Sequence, residues 1–425
     1  MVRLGARSLA ALLLVGLTAC ATPQGGSEPR LEDVDRQAVK LGAERLLETG
    51  IDRYAGQRVG LIAHSASILG GQRLVDLLAE REEIELVALF GPEHGFGGTA
   101  AAGEEVAEGR DAATGLPVFS LYGETKAPTP ESLAGVDVLF FDLQDVGARY
   151  FTYISTMGLA MQAAARAGVR FVVLDRPNPL GGELVEGFVL DVEEHRSFVG
   201  YYPIPAVHGL TVGELARMIV GEAWLEDVEE LELDVVAMSG WTRGMQWPDT
   251  GLPWVPPSPN LATFEAALHY PGTCLFEGTV FSEGRGTETP FELFGAPWLE
   301  TSLFDGVELA GVRLEATTVT PVKSWRSGAP RFEGLEIPAL RLVTMDRRAV
   351  RPLANGVEIL TRLRDLAADL DEWVEDEWFD QLAGSGELRA ALQAGASSTS
   401  LEHAWAASVQ RYRLRRDPYL IYGSN

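Results

Sequence analysis

The feature that most constrains this chain is a rhythm of short, mostly apolar runs set between stretches with helical spacing. The runs fall at residues 58–63, 84–90, 117–121, 136–141 and 170–174. Helical patterns fall at 72–82 and 150–167, and the second ends at Gly168, a good helix stop. A strand covered on both faces shows no polar alternation, so these runs predict a parallel sheet with helices on either side. A helix at 211–222 and a strand at 233–238 extend the pattern. The fold class is therefore α/β, with a Rossmann-like, mostly parallel sheet.

Near Gly240 the texture changes. Residues 241–260 hold three Trp and five Pro, which marks a loop-rich junction. Beyond it, strands expected at 312–319 and 339–345 mix with helices expected at 352–370 and 401–413. This predicts a Rossmann-like first domain over 31–243 and a second, α+β domain over 244–425.

The first twenty residues read as an address. Arg3 and Arg7 precede a short apolar stretch at 9–17, which ends Leu17-Thr18-Ala19-Cys20. That stretch is too short to span a bilayer and has the flanks of a secretory signal. The Leu17–Cys20 sequence has the form of a bacterial lipobox, so residues 1–20 are expected to be a lipoprotein signal peptide. Cys20 is then the lipidated residue and 21–30, rich in Gly, Pro and Ser, a flexible tether. The chain is expected to be exported and held on a bacterial membrane, in the periplasm or at the cell surface, by its lipid alone.

Composition removes several function classes. The net charge of −26 repels phosphate backbones, so no nucleic acid is expected as partner. Two Cys and no CxxC exclude a disulfide framework and a thiolate metal site, and Cys274 reads as a core residue. The six His are dispersed without HxxxH or HExxH, so no metal is expected. No GxGxxG and no phosphate-loop Lys are present, so no cofactor is expected.

Ligands of open parallel sheets bind beyond the carboxyl ends of the strands. After the second run comes GPEHGFGG (91–98), where glycines let backbone approach a ligand and Glu93 and His94 sit side by side. After the fourth come Asp142, Gln144 and Asp145, then Arg149, Tyr150 and Tyr153. Asp142 and Asp145 are candidate carboxylates, Arg149 a carboxylate clamp, and the tyrosines a stacking wall. Asp145 equally suits a helix cap. After the fifth, Arg176 and Asn178 lie in a loop stiffened by Pro177 and Pro179. Glu186, His208, Asn260, Glu283 and Arg285 are further polar candidates beside glycine or proline.

Taken in order, GPEHGFGG, LPVFSLYG, DVLFFDLQDVGARYFTYISTM, VVLDRPNPLGG, SFVG, HGLTVGELA, PSPN and YPGTCLFEGT…SEGRGT resemble the bacterial exo-β-N-acetylmuramidase family over most of residues 45–300. The resemblance implies that the first domain is Rossmann-type and catalytic, and that the second is an auxiliary domain closing a cleft against it. It also implies removal of terminal N-acetylmuramic acid from peptidoglycan fragments. It points to Glu93 as the leading catalytic carboxylate. This chain departs from the family pattern with His64-Ser65 after the first run, Gly97 in the glycine turn, Val280 and Thr289.

Glycosidic cleavage needs an acid at the leaving oxygen and a partner for the charge at the anomeric carbon. Glu93 is expected as the acid, Asp142 or Asp145 as the second carboxylate, and His94 as an orienting group. The substrate's own N-acetyl oxygen is an alternative to the second carboxylate. Arg149, Arg176 or Arg285 is expected to bind the lactyl carboxylate. Competing readings are a non-catalytic peptidoglycan-binding or solute-binding lipoprotein, and an esterase or amidase using Ser282. The absence of GxSxG weighs against the last.

Overall fold

A computed structural model describes residues 38–424 apart from 102 and 368–372. The signal peptide, Cys20 and the tether lie outside the described residues, as does the start of the expected 31–243 domain.

The strands in chain order are β1 (Arg58–Ala63), β2 (Ile68–Leu69), β3 (Gln72–Arg73), β4 (Glu85–Gly91), β5 (Gly109–Arg110), β6 (Pro117–Ser120), β7 (Val138–Asp142), β8 (Arg170–Leu174), β9 (Glu186–Val189), β10 (Pro205–Val207), β11 (Leu233–Val236), β12 (Leu293–Gly295), β13 (Val312–Val319) and β14 (Ile337–Thr344). The helices are α1 (Gly42–Arg45), α2 (Leu74–Ala79), α3 (Tyr153–Ala167), α4 (Val212–Gly221), α5 (Phe264–Thr273), α6 (Pro352–Leu366), α7 (Asp376–Ala383), α8 (Gly386–Gln393) and α9 (Ser398–Arg416).

Seven strands form one sheet in the order β11-β8-β7-β1-β4-β6-β5, parallel throughout except for the β5–β6 edge. Alternate residues feed two cores. Phe141, Phe171, Val173 and Phe90 pack on one face, and Phe140, Val172, Leu174 and Leu89 on the other. This two-sided burial is why the strands read as continuous apolar runs. Each large side chain so buried contributes about 1.5–3 kcal/mol. A second, antiparallel sheet has the order β12-β14-β13.

Local chemistry fixes the helices. In α3 the buried positions Tyr153, Ile154, Met157, Ala160, Met161 and Ala164 recur at helical spacing, and Gly168 closes the helix at φ 66°. Thr211 and Glu214 form a capping box at the start of α4: Glu214 N donates to Thr211 Oγ1 at 3.2 Å, and Thr211 N to Glu214 Oε2 at 3.1 Å. Helices α5 and α6 cross at Gly272 and Gly356, where a Cβ on Gly272 would stand 2.1 Å from the Pro352 carbonyl oxygen.

The C-terminal segment is tied to the sheet edge. Asp175, fully buried just after β8, accepts from Tyr422 Oη at 2.6 Å, Thr211 Oγ1 at 2.8 Å and Gly213 N at 2.8 Å. Burial pushes its carboxyl up to about 7. The folded chain therefore holds a proton that the unfolded chain releases nearer the ordinary value of 3.8, and stability falls as pH rises through that window. Relative to Asp175→Asn, the parent protein is expected to lose stability between about pH 4 and about pH 7 in urea denaturation. A gap between the two proteins that stays constant or widens in the parent's favour contradicts this.

Candidate active site

The topological switch point of the sheet lies between β1 and β7, and it is filled by protein. Ser67 Oγ donates to the Asp142 carbonyl at 2.5 Å, His64 Nδ1 accepts from Ala66 N at 2.9 Å, and His64 and Gln144 are buried. The open cleft, of about 470 Å³, lies instead over the tips of β4 and β6, with the start of α3 and segments from the second half of the chain as further walls.

Glu93 enters this cleft from the loop after β4. The loop turns through two successive residues in the left-handed region, His94 at φ 71° and Gly95 at φ 77°. A non-glycine residue there is uncommon and marks a conformation that the surroundings impose. Glu93 Oε1 accepts from Gly103 N at 2.9 Å, and Thr152 Oγ1 lies 2.6 Å from Glu93 Oε2. Tyr122 hydrogen-bonds the same carboxylate; burial, then Glu93, holds its phenol above the ordinary range. His94 Nδ1 is 2.9 Å from the Ala100 carbonyl, which can only accept, so that nitrogen carries the proton. Burial lowers the His94 pKa against the opposing pull of Glu93.

The second carboxylate on the cleft wall is Glu277, whose Oε1 accepts from Arg285 at 2.7 Å. Arg285 also meets Glu283 at 3.1 Å and lies 5.0 Å from the Phe291 ring centre. Burial, then the neighbouring Glu277, pushes the Glu283 carboxyl up. Tyr150, Phe151, Tyr153, Tyr270 and Phe198 supply aromatic wall. The Lys126 ammonium sits 4.1 Å from the Phe198 ring centre and 4.8 Å from that of Tyr122, and no carboxylate pairs with it among the described residues. Among the described residues no three His, Cys, Asp or Glu side chains converge as a metal site requires.

Of the sequence candidates, Glu93, His94, Tyr150, Tyr153 and Arg285 line the cleft. The others are placed elsewhere. Asp142, expected as second carboxylate, is fully buried and held by Arg176 in two bonds of 2.7 Å, which also removes Arg176 as a substrate clamp. Asp145 accepts from Gly147 N at 2.7 Å and stands 3.4 Å from His208 Nε2, so both belong to the loop scaffold. Arg149 is fully buried and donates to the carbonyls of Phe188, Ile204 and Leu382. Burial draws its pKa down to about 10. Asn178 holds its own loop through Leu180 N and the Leu210 carbonyl. Glu186 is bound by Arg351 and Leu353 N. Asn260 donates to the Arg326 carbonyl at 2.8 Å, and Glu283 sits behind Arg285.

Sequence reasoning missed Tyr122, Lys126, Thr152 and Glu277. Tyr122 and Thr152 follow a strand tip and precede a helix, the positions from which side chains reach a cleft of this kind, and that signal was available. Nothing local marks Lys126.

Comparison with known proteins gives a consistent result. A family model described as exo-β-N-acetylmuramidase NamZ, N-terminal, matches residues 59–265, and its C-terminal counterpart matches 268–422. The peptidoglycan β-N-acetylmuramidase NamZ of Bacillus subtilis (strain 168) is 40% identical over 419 residues, 97% of this chain and 98% of that protein. A crystal structure of a DUF1343 family protein from Bacteroides fragilis NCTC 9343 is 35% identical with a TM-score of 0.82, covering 91% of this chain and 99% of that one. A second such protein from the same organism is 30% identical with a TM-score of 0.75, covering 92% and 100%. Cleft residues come from both sides of the junction between the two family models.

The Asp142–Arg176 pair yields a prediction that separates structure from chemistry. Asp142→Ala strands a buried guanidinium and is expected to cost about 3–5 kcal/mol of stability. Urea denaturation measures this, and a loss below about 1 kcal/mol contradicts the assigned burial.

Proposed function

This chain belongs to the exo-β-N-acetylmuramidase NamZ family, and we propose that it hydrolyses the β-glycosidic bond of a terminal N-acetylmuramic acid in peptidoglycan fragments, with Glu93 as general acid. The observation that carries the Glu93 assignment is that, of the two carboxylates lining the cleft, it is the one with no cationic partner among the described residues.

The hydrogen bonds around Glu93 fix where its carboxyl group stands in the cleft. Gly103 N can only donate, so it fixes Oε1 as an acceptor. Thr152 Oγ1 donates to Oε2 at 2.6 Å, so both oxygens of Glu93 are held in position on the cleft wall, the fixed placement that a general acid needs. The positive charge that develops at the anomeric carbon is met by Glu277 or by the substrate's own acetamide oxygen.

N-acetylmuramic acid differs from N-acetylglucosamine by a lactyl carboxylate, and selection needs an available cation. Arg285 is already shared between Glu277 and Glu283. Lys126, steadied by two aromatic faces and with no carboxylate partner among the described residues, fits that role. Export and lipid attachment at Cys20 belong to the same proposal. They are supported by the Leu17-Thr18-Ala19-Cys20 motif and would hold the enzyme beside its polymeric substrate.

Glu93→Gln is expected to lower kcat on an N-acetylmuramic acid–N-acetylglucosamine disaccharide by about 10²–10⁴-fold. On a para-nitrophenyl β-N-acetylmuraminide, whose leaving group needs little protonation, the loss is smaller. Equal losses on both substrates overturn the acid assignment. Lys126→Met removes a charge-assisted bond of about 1.5–3 kcal/mol, so kcat/KM for the muraminide is expected to fall tenfold or more against that for the matching N-acetylglucosaminide. An unchanged ratio assigns the carboxylate to another group.

A further inference from the structure

We propose that the cleft continues into a second binding groove, built on the turn at residues 324–327, that holds the amino-sugar chain on the leaving-group side of the scissile bond. The inference rests on the glycosidase reading and specifies what that reading leaves open, namely how the rest of the polymer is gripped.

Three cavities adjoin one another. A space of about 240 Å³ shares His94 and Ser258 with the Glu93 cleft. A larger groove of about 730 Å³ shares Trp325 and Arg326 with that space, and Ser327 faces both the groove and the cleft. One turn therefore fronts all three, and a chain leaving the cleft past His94 meets Trp325 next.

The turn is built to hold its side chains out. Ser324 N donates to Ser327 Oγ at 3.1 Å, Asn260 Nδ2 to the Arg326 carbonyl at 2.8 Å, and Val322 N to the Gly286 carbonyl at 2.8 Å. On this anchored backbone Trp325 remains 54% exposed. The Arg326 guanidinium lies 5.2 Å from its ring centre, and no carboxylate pairs with it among the described residues. In a chain with 61 acidic residues against 35 basic ones, a cation beside an exposed indole with no carboxylate partner among the described residues is open to an anion from outside. The groove wall adds the hydroxyls of Thr289 and Thr317.

These groups match one chemistry. A flat indole stacks on the apolar face of a pyranose, hydroxyls pair with sugar hydroxyls and acetamides, and a guanidinium binds a carboxylate. A glycan with lactyl carboxylates on alternate sugars offers all three in sequence. The substrate class is thus an oligosaccharide extending at least two sugars beyond the cleaved bond.

The test compares kcat/KM on an N-acetylmuramic acid-terminated tetrasaccharide with that on the para-nitrophenyl muraminide, for the parent, Trp325→Ala and Arg326→Ala. The ratio of tetrasaccharide to aryl glycoside is expected to fall about tenfold in each variant, the loss of about 1.4 kcal/mol of binding. A ratio that matches the parent's overturns the groove. Calorimetric titration with an N-acetylglucosamine–N-acetylmuramic acid fragment reads the same surface without turnover. The parent is expected to bind it and Trp325→Ala to bind about tenfold more weakly. Equal affinity, or no binding by the parent, again overturns the groove. Failure of the parent to turn over either glycoside counts against the glycosidase reading alone.

Discussion

The two-point pair between Asp142 and Arg176 is the contact around which the carboxyl edge of the sheet is arranged. It joins the tips of β7 and β8 with both charges out of water. Its two bonds offset the heavy cost of desolvating each ion, and loss of either partner would leave that cost uncompensated. The same Asp142 takes Ser67 Oγ on its carbonyl, so the loop after β1 is drawn into the same assembly. With the switch point closed in this way, the open cleft falls one strand further along, over β4 and β6. There the strained His94 turn presents Glu93 beside the start of α3.

The cleft divides its charges by burial. Arg149, Arg176 and Arg243 are withdrawn into the scaffold, each on carbonyls or a carboxylate. Arg285 stays on the wall but is shared between two glutamates. Lys126 and Arg326, both resting on aromatic rings, are left for anions from outside. An acidic protein that acts on an acidic polymer needs such local exceptions to its own field. The two lie at different ends of the connected cavities, Lys126 on the cleft itself and Arg326 on the adjoining groove.

The sheet was legible because β7 and β8 are buried on both faces, leaving no reading of their apolar runs except a covered strand. Helix α5 was not legible, since Pro271 and Gly272 near its end argue against a helix. Gly272 is there because α6 passes within reach of its backbone. For the site, Glu93 and His94 stood out because glycines flank them on a strand tip. Asp142 looked equally catalytic, because an aspartate at a strand tip reads the same whether a substrate or an arginine faces it. The deciding partner lies 34 residues away. Lys126 was invisible for the converse reason: its meaning comes from Phe198, which only tertiary folding brings beside it.

The most direct test of the account is to follow purified protein acting on an N-acetylmuramic acid-ended glycan fragment and to identify the products by mass spectrometry. Steady release of free N-acetylmuramic acid from that end is expected, with an N-acetylglucosamine-ended fragment left intact. Release of internal fragments, or cleavage of the N-acetylglucosamine-ended fragment at a similar rate, would contradict it.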